Sequence, residues 1–222
     1  MDITVAGARG QVARHLVRLL VDRGDRVRGL IRNPSHRAEV AADGAEPLVC
    51  DLEHATDADV DAAVTGSDAI VFAAGAGPGS GAERKWTVDY GGARRLMDAA
   101  GRTGVRRYVM VSAMGADHPP QDEDVFSVYL RAKARADEEL RSTGLDHTIV
   151  RPGRLTDDAG TGRVRIGVQL GSHEVPRADV AAVLAAVLAE PGTIGRTFEV
   201  VAGDSPVDDA VRSATGPAST GT

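Results

Sequence analysis

Aromatic side chains are scarce in this chain, which holds three Phe, three Tyr and one Trp among 222 residues. Its formal net charge is −6. Both features argue against a nucleic-acid partner, which would need a basic stripe or a stacking platform. Cysteine occurs once, as Cys50, so no internal disulfide can form and the thiol reads as a small buried hydrophobe. The six histidines show no ligand spacing, and no metal is expected. No apolar run reaches membrane length, and no basic-then-apolar leader opens the chain. The expectation is a soluble, cytoplasmic protein without a membrane partner. Lysine is nearly missing as well: apart from Lys85 and Lys133, every one of the 26 basic residues is arginine. The arginines are scattered among acids, as on a solvated face.

What is present is alternation. Strand-like segments near 2–6, 26–31, 46–50, 68–73, 106–111, 146–150 and 197–201 alternate with helical patterns near 10–23, 36–42, 56–64, 85–102, 125–143 and 177–190. Some strands, such as Ala69-Ile70-Val71-Phe72, are apolar throughout, as expected where helices cover both faces of a parallel sheet. The pattern predicts an α/β fold with a doubly wound sheet of order 3-2-1-4-5-6 and extra strands at the C-terminal end. Residues 1–212 read as one domain. Within it, 153–175 is rich in Gly, Thr and Arg, breaks the alternation, and is expected to form a small substrate-side cap. Residues 213–222 read as a disordered tail.

The first strand breaks at Gly7 and a helical pattern starts after Gly10. A strand, a glycine turn and a helix in that order aim the N–H groups of residues such as Gln11 and Val12 at a site for a pyrophosphate. Gly7 allows a positive φ, and Gly10 offers no Cβ to block a phosphate. Ala13 fills the third small position. These residues predict dinucleotide binding. NAD sites usually place an acid on the ribose about 20 residues further on; here the stretch reads Arg28-Gly29-Leu30-Ile31-Arg32-Asn33, without a carboxylate. Arg32 and Arg9 could instead grip a 2′-phosphate, which favours NADP(H) over NAD(H). Asp51 and Leu52 follow the third strand, where the Asp51 carboxylate could meet an adenine amino group. Ala73, Ala74 and Gly75 follow the fourth strand and form a wall of tiny residues for the cofactor.

Tyr129 and Lys133 stand at i and i+4 on a predicted helix and share a face. A phenol has a pKa near 10, and a neighbouring ammonium favours its ionised form, so the pair suits acid/base work on a carbonyl or alcohol. Lys133 is notable in a chain that otherwise uses arginine, because a compact ammonium suits ribose hydroxyls. Ser112, closing the fifth strand, is placed to hold a substrate oxygen. The loop Met114–Asp124 and the cap would form the substrate pocket.

Together, these stretches resemble the atypical, single-domain NAD(P)H-binding subgroup of the short-chain dehydrogenase/reductase superfamily, related to extended-type NAD-dependent epimerases/dehydratases and to NmrA-like proteins. The resemblance rests on Val5 through Ala13, Leu30-Ile31-Arg32, Val88-Asp89-Tyr90-Gly91-Gly92, Val109 through Gly115, Tyr129 through Lys133, Gly144 through Gly153, and Arg177 through Ala181. It implies a Rossmann-type fold, with Tyr129 as acid/base, Lys133 as its partner and ribose ligand, Ser112 as substrate anchor, and the backbone around Pro152 lining the nicotinamide. Members with a full tetrad carry Asn where this chain has Asp89, which exchanges a donor for a second acceptor. The implied activity is NADP-dependent hydride transfer between NADPH and a small carbonyl or quinone-like substrate. The alternative is a non-catalytic NADP(H) redox sensor of the NmrA-like type. Monomer and homodimer both stay open.

Overall fold

The computed structural model describes residues 1–77 and 79–216. Its elements are β1 (Asp2–Ala6), α1 (Gln11–Asp22), β2 (Arg26–Ile31), α2 (Arg37–Ala42), β3 (Glu46–Val49), α3 (Asp57–Val64), β4 (Ala69–Phe72), α4 (Ala82–Arg84) and α5 (Ala93–Thr103), the last two joined by a π-helical segment, Lys85–Gly92. There follow β5 (Arg107–Val111), α6 (Val125–Ser142), β6 (Asp146–Pro152), β7 (Arg154–Thr156), β8 (Arg163–Gly167), β9 (Glu174–Pro176), α7 (Arg177–Ala189), β10 (Arg196–Ala202), β11 (Ser205–Pro206) and α8 (Val207–Ser213).

One nine-stranded sheet runs β11-β8-β10-β6-β5-β4-β1-β2-β3. From β3 to β10 every pairing is parallel. The first six strands thus take the expected order, and the protein has the doubly wound Rossmann-type fold. Side chains alternate across the sheet with period two. Ala69 and Val71 of β4 join a core with Leu16, Val17 and Leu20 of α1 and Leu184 of α7, whereas Ile70 and Phe72 join Leu96 of α5 and Leu140 of α6. Burying a Leu or Phe completely is worth roughly 1.5–3 kcal/mol, so this two-sided burial fixes the register of β4. The chain reverses direction across the sheet between β1 and β4. The crevice beyond their carboxyl ends is where such sheets bind ligands.

The C-terminal third adds the extra strands: the middle of the 153–175 segment forms β8, antiparallel to β10 in the main sheet, while β7 and β9 make a small parallel pair. The residues on either side of β8 are pinned to the body. Asp179, 2% exposed, accepts the N–H groups of Thr161 and Gly162 at 3.0 and 2.8 Å. Glu199 accepts the N–H of Leu170 at 2.7 Å. Of the expected tail, Ser213 closes α8 and residues 214–216 form a turn against Arg196; 217–222 lie outside the described residues.

The expected helix over 85–102 is longer and changes its winding. Residues Lys85–Gly92 bond i→i+5, and π segments of this kind often mark functional sites. Gly91 permits it, because a Cβ there would lie 3.3 Å from the Trp86 carbonyl oxygen five residues back.

Candidate active site

The turn after β1 is built around backbone. Gly7 has φ +77°, and a Cβ on it would stand 2.6 Å from the Ala74 Cα. The Gly10 N–H donates to the Gly7 carbonyl at 2.7 Å, and a Cβ on Gly10 would lie 3.1 Å from that oxygen. Helix α1 opens at Gly10 with no side-chain cap and no acid in its first turn. By contrast, α3 is closed by the Thr56–Asp59 capping box and α6 by Asp124. The first-turn N–H groups of α1, from Gln11 and Val12 onward, therefore stay available at the positive end of the helix dipole. The turn, the open helix end and the Ala73-Ala74-Gly75 wall fit a dinucleotide pyrophosphate. The Gln11 side chain donates to Asp157 at 3.3 Å, and Asp157 also accepts from Arg177 at 2.7 Å. That link ties the residues after β7 to the rim of the turn.

Both candidate 2′-phosphate ligands carry acidic partners. Arg9 pairs with Glu39 at 3.0 Å, and Arg32 lies 3.6 Å from Glu53, each arginine side chain 56% exposed. The stretch after β2 lacks a carboxylate, but Glu53 reaches Arg32 from beyond the third strand. Hydrogen bonding to Arg84 holds the Glu53 carboxyl below its ordinary range. Asp51 is half-buried, with one carboxylate oxygen accepting the Glu53 N–H at 3.0 Å. Leu52 is half-buried and packs beside Gly92 and the neighbouring core. Pro152 ends β6, buried, with its carbonyl accepting the Met114 N–H at 3.1 Å. Cys50 is buried, and burial pushes its thiol pKa up, which suits a packing residue rather than a nucleophile. Among the described residues, no cluster of His, Cys, Asp and Glu could hold a metal ion.

Tyr129 and Lys133 share the inner face of α6. The Lys133 ammonium is buried, donates to the Val111 carbonyl at 3.0 Å, and lies 5.8 Å from the Tyr129 ring centre. It also meets Asp89, delivered by the π segment, at 3.5 Å. One Asp89 oxygen accepts the Ala76 N–H at 3.1 Å; the other, Oδ1, has no hydrogen-bond partner among the described residues. A Cβ on Gly75 would come within 2.9 Å of that oxygen. The Asp89 charge opposes that of Lys133 at the phenol. Burial therefore raises the Tyr129 pKa above its ordinary value, against the pull of Lys133, with Asp89 and Asp137 pushing the same way. The sequence led us to expect a lowered phenol pKa. Burial and the Asp89 carboxylate reverse the direction, leaving a phenol that keeps its proton.

Ser112 is likewise committed differently. Its hydroxyl donates to Asp137 at 2.9 Å, so its lone pairs rather than its proton face a ligand. Asp137 is fully buried and bound by Arg151 through Nε and Nη2 at 2.9 and 2.8 Å. Arg151 also pairs with Asp117 on the loop after β5. Burial pushes the Asp137 carboxyl up, with Arg151 and Ser112 opposing. Asp137, Arg151 and Asp117 were missed from sequence. A signal existed for one of them, because Asp137 continues the Tyr129, Lys133 spacing by another four residues.

A family model described as NAD(P)H-binding matches residues 7–191, and the chain belongs to that family. It is 36% identical to a Bacillus subtilis (strain 168) protein named "Uncharacterized sugar epimerase YhfK", over 96% of this chain and 99% of that one. The solved structure of a "Putative NAD-dependent epimerase/dehydratase from Bacillus halodurans" superposes with a TM-score of 0.90 at 37% identity, covering 96% of this chain and 99% of that one. ChuY, an anaerobillin reductase from Escherichia coli O157:H7, superposes with a TM-score of 0.78 at 25% identity, over 92% and 98% of the two chains. The protein is therefore a member of the NAD(P)H-binding family, similar along nearly its whole length to epimerase/dehydratase-like proteins. No helix among the described residues is long and apolar enough to cross a membrane.

Proposed function

We propose that this member of the NAD(P)H-binding family is an NADP(H)-dependent oxidoreductase acting on a small carbonyl or quinone-like substrate. The observation that carries the reading is the placement of a buried lysine beside a phenol that keeps its proton, at the carboxyl edge of the sheet that also carries the open glycine turn. Gly7, Gly10 and the first turn of α1 would hold the pyrophosphate, Lys133 the ribose, and the backbone near Pro152 the nicotinamide. When bound, the cofactor supplies or accepts hydride. Tyr129 holds the proton at its Oη and gives it to the substrate oxygen as that oxygen gains charge. Lys133 would steady the phenolate left behind, and Asp89 limits how far it does so before reaction. Ser112, oriented by Asp137, would accept a hydrogen bond from the substrate hydroxyl.

NADPH consumption across carbonyls, quinones and simple aldoses tests this reading, the aldoses because of the name carried by the B. subtilis relative. Tyr129→Phe should lower turnover about 10²–10⁴-fold while leaving NADPH affinity within about twofold. Unchanged activity would make Tyr129 a packing residue. Tight NADPH binding with no activity on any acceptor would favour a redox sensor, the reading supported by the Asp89–Lys133 ion pair.

The preference for NADP(H) rests on Arg9 and Arg32, whose acidic partners a 2′-phosphate would have to displace. Arg32→Ala should weaken NADPH about tenfold or more, the value of a charge-assisted hydrogen bond, and NADH hardly at all. Calorimetry showing equal loss for both cofactors, or tighter NADH binding to the unaltered protein, refutes the preference.

A further inference from the structure

The chain has two lysines, and the fold brings both to the same phenol. Lys133 accounts for one. The other, Lys85, is 8% exposed and starts the π segment, with its ammonium 5.6 Å from the Tyr129 ring centre. Its one hydrogen-bond acceptor among the described residues is the Gly77 carbonyl at 2.8 Å, on the loop that continues the Ala73-Ala74-Gly75 wall. Lys133 has Asp89 as a counter-ion, yet no carboxylate lies within 4.0 Å of Lys85 among the described residues. An ammonium has three donors. Burying one with a lone carbonyl acceptor is unfavourable unless something further completes it. In a chain where arginine serves nearly every other cationic position, a compact ammonium here suits a small ligand group rather than a planar bidentate one.

We propose that Lys85 binds an anionic group of the substrate, a carboxylate or a phosphate, beside the Tyr129 hydroxyl. The substrate would then be a carbonyl compound that carries a negative charge. The assignment rests on the oxidoreductase reading for the word substrate, but the anion site itself does not depend on it. The Gly77 carbonyl would share the ammonium with an arriving anion, since it uses one of three donors.

Oxalate and inorganic phosphate are the probes, titrated calorimetrically into the NADPH-saturated protein and into Lys85→Met, which keeps most of the side-chain length without the charge. The expected result is anion binding that weakens about tenfold or more in Lys85→Met, with NADPH affinity unchanged. A stronger response to oxalate assigns carboxylate substrates, and a stronger response to phosphate assigns phosphorylated ones. Equal binding of both anions to both proteins, or none to either, overturns the proposal. So does a loss of NADPH affinity as large as the loss of anion affinity, which would give Lys85 to the cofactor. If the unaltered protein binds no NADPH, the oxidoreductase reading falls, and the same titration without cofactor still decides the anion site. Should Lys85→Met not fold, reductive methylation of the unaltered protein serves instead. With only two lysines to resolve by mass spectrometry, oxalate or phosphate must slow labelling of Lys85, and labelling at an unchanged rate refutes the site.

Discussion

The turn after β1 and the inner face of α6 border the same crevice with opposite materials. At the turn, recognition is left to backbone: Gly7 at positive φ, an uncapped helix end and a wall of alanine and glycine. Around Tyr129 it is left to buried charge: Lys133 with Asp89, Arg151 with Asp137, and Lys85 on a carbonyl. The first arrangement is local, since a few adjacent residues specify it. The second is assembled from four separate chain segments: α6 supplies Lys133 and Asp137, the π segment Lys85 and Asp89, β6 Arg151, and the loop after β4 the Gly77 carbonyl. A dinucleotide presents the same phosphates in every relative that binds one, so backbone donors suffice. Side chains around Tyr129 can be exchanged without rebuilding the turn.

If buried charge organises the face around Tyr129, breaking one pair should cost far more there than at the turn after β1. Arg151→Met removes the cation that holds fully buried Asp137 and should destabilise the protein by about 3–5 kcal/mol, read from denaturant unfolding. Adding Asp137→Leu to the same protein should return much of that stability, because an apolar replacement of a buried ion pair is often neutral. The double variant would still lose turnover, since Ser112 loses the carboxylate that orients it. Full activity in the double variant would show that the network only fills space. A loss under about 1 kcal/mol for Arg151→Met would erase the contrast between the two sides.

On the cofactor side the corresponding weak point is backbone. Gly7→Ala forces a side chain into the left-handed region, at about 1–2 kcal/mol, and drives its Cβ against the Ala74 backbone. Neither neighbour can rotate away, so the Ala73–Gly75 wall must shift. NADPH affinity should fall well beyond what the modest stability loss implies, and calorimetry alongside thermal unfolding measures both. Equal NADPH affinity would separate the turn from the cofactor.

The same division explains what could be read from sequence. The sheet order follows from hydrophobic runs spaced by helical patterns, and the glycine turn from residues within ten positions of each other. Tyr129 and Lys133 are visible because both lie on one helix. Arg151, Asp117 and Asp137 come together only once β6 is laid beside β5, and no local pattern announces that. Glu53 beside Arg32 is the same kind of case, a carboxylate supplied by the neighbouring strand's loop rather than by the stretch where one was sought. The π winding of Lys85–Gly92 was hidden because a period of 3.6 describes its flanks equally well. β8 is a short strand between β11 and β10, and its Gly- and Thr-rich flanks carry no period-two pattern that announces it. Lys85 did have a signal, the rarity of lysine, which was applied to Lys133 alone.

The mildest test of the contrast concerns a charge cluster on the cofactor side. Asp43, after α2, accepts from Arg14 at 2.5 and 3.2 Å and from Arg18 at 2.8 and 2.5 Å, tying α1 to the β2–α2 region. Its own side chain is 4% exposed, but the two arginines are 30% and 50% exposed, so solvent screens the cluster. Asp43→Asn should therefore cost only about 1 kcal/mol near neutral pH, about 2–4 °C in Tm for a chain of this size. Hydrogen bonding to Arg14, assisted by Arg18, holds the Asp43 carboxyl below its ordinary value in the folded protein. A carboxylate that is depressed on folding stabilises above its unfolded pKa, about 3.9, and loses that contribution as pH falls through the folded value. The difference in Tm between the unaltered protein and Asp43→Asn should be full above about pH 4 and close progressively below it. Other acids titrate in both proteins and cancel in the difference. A gap that persists unchanged well below pH 4 would mean that Asp43 acts through shape and neutral hydrogen bonds, and this cluster would then owe nothing measurable to charge.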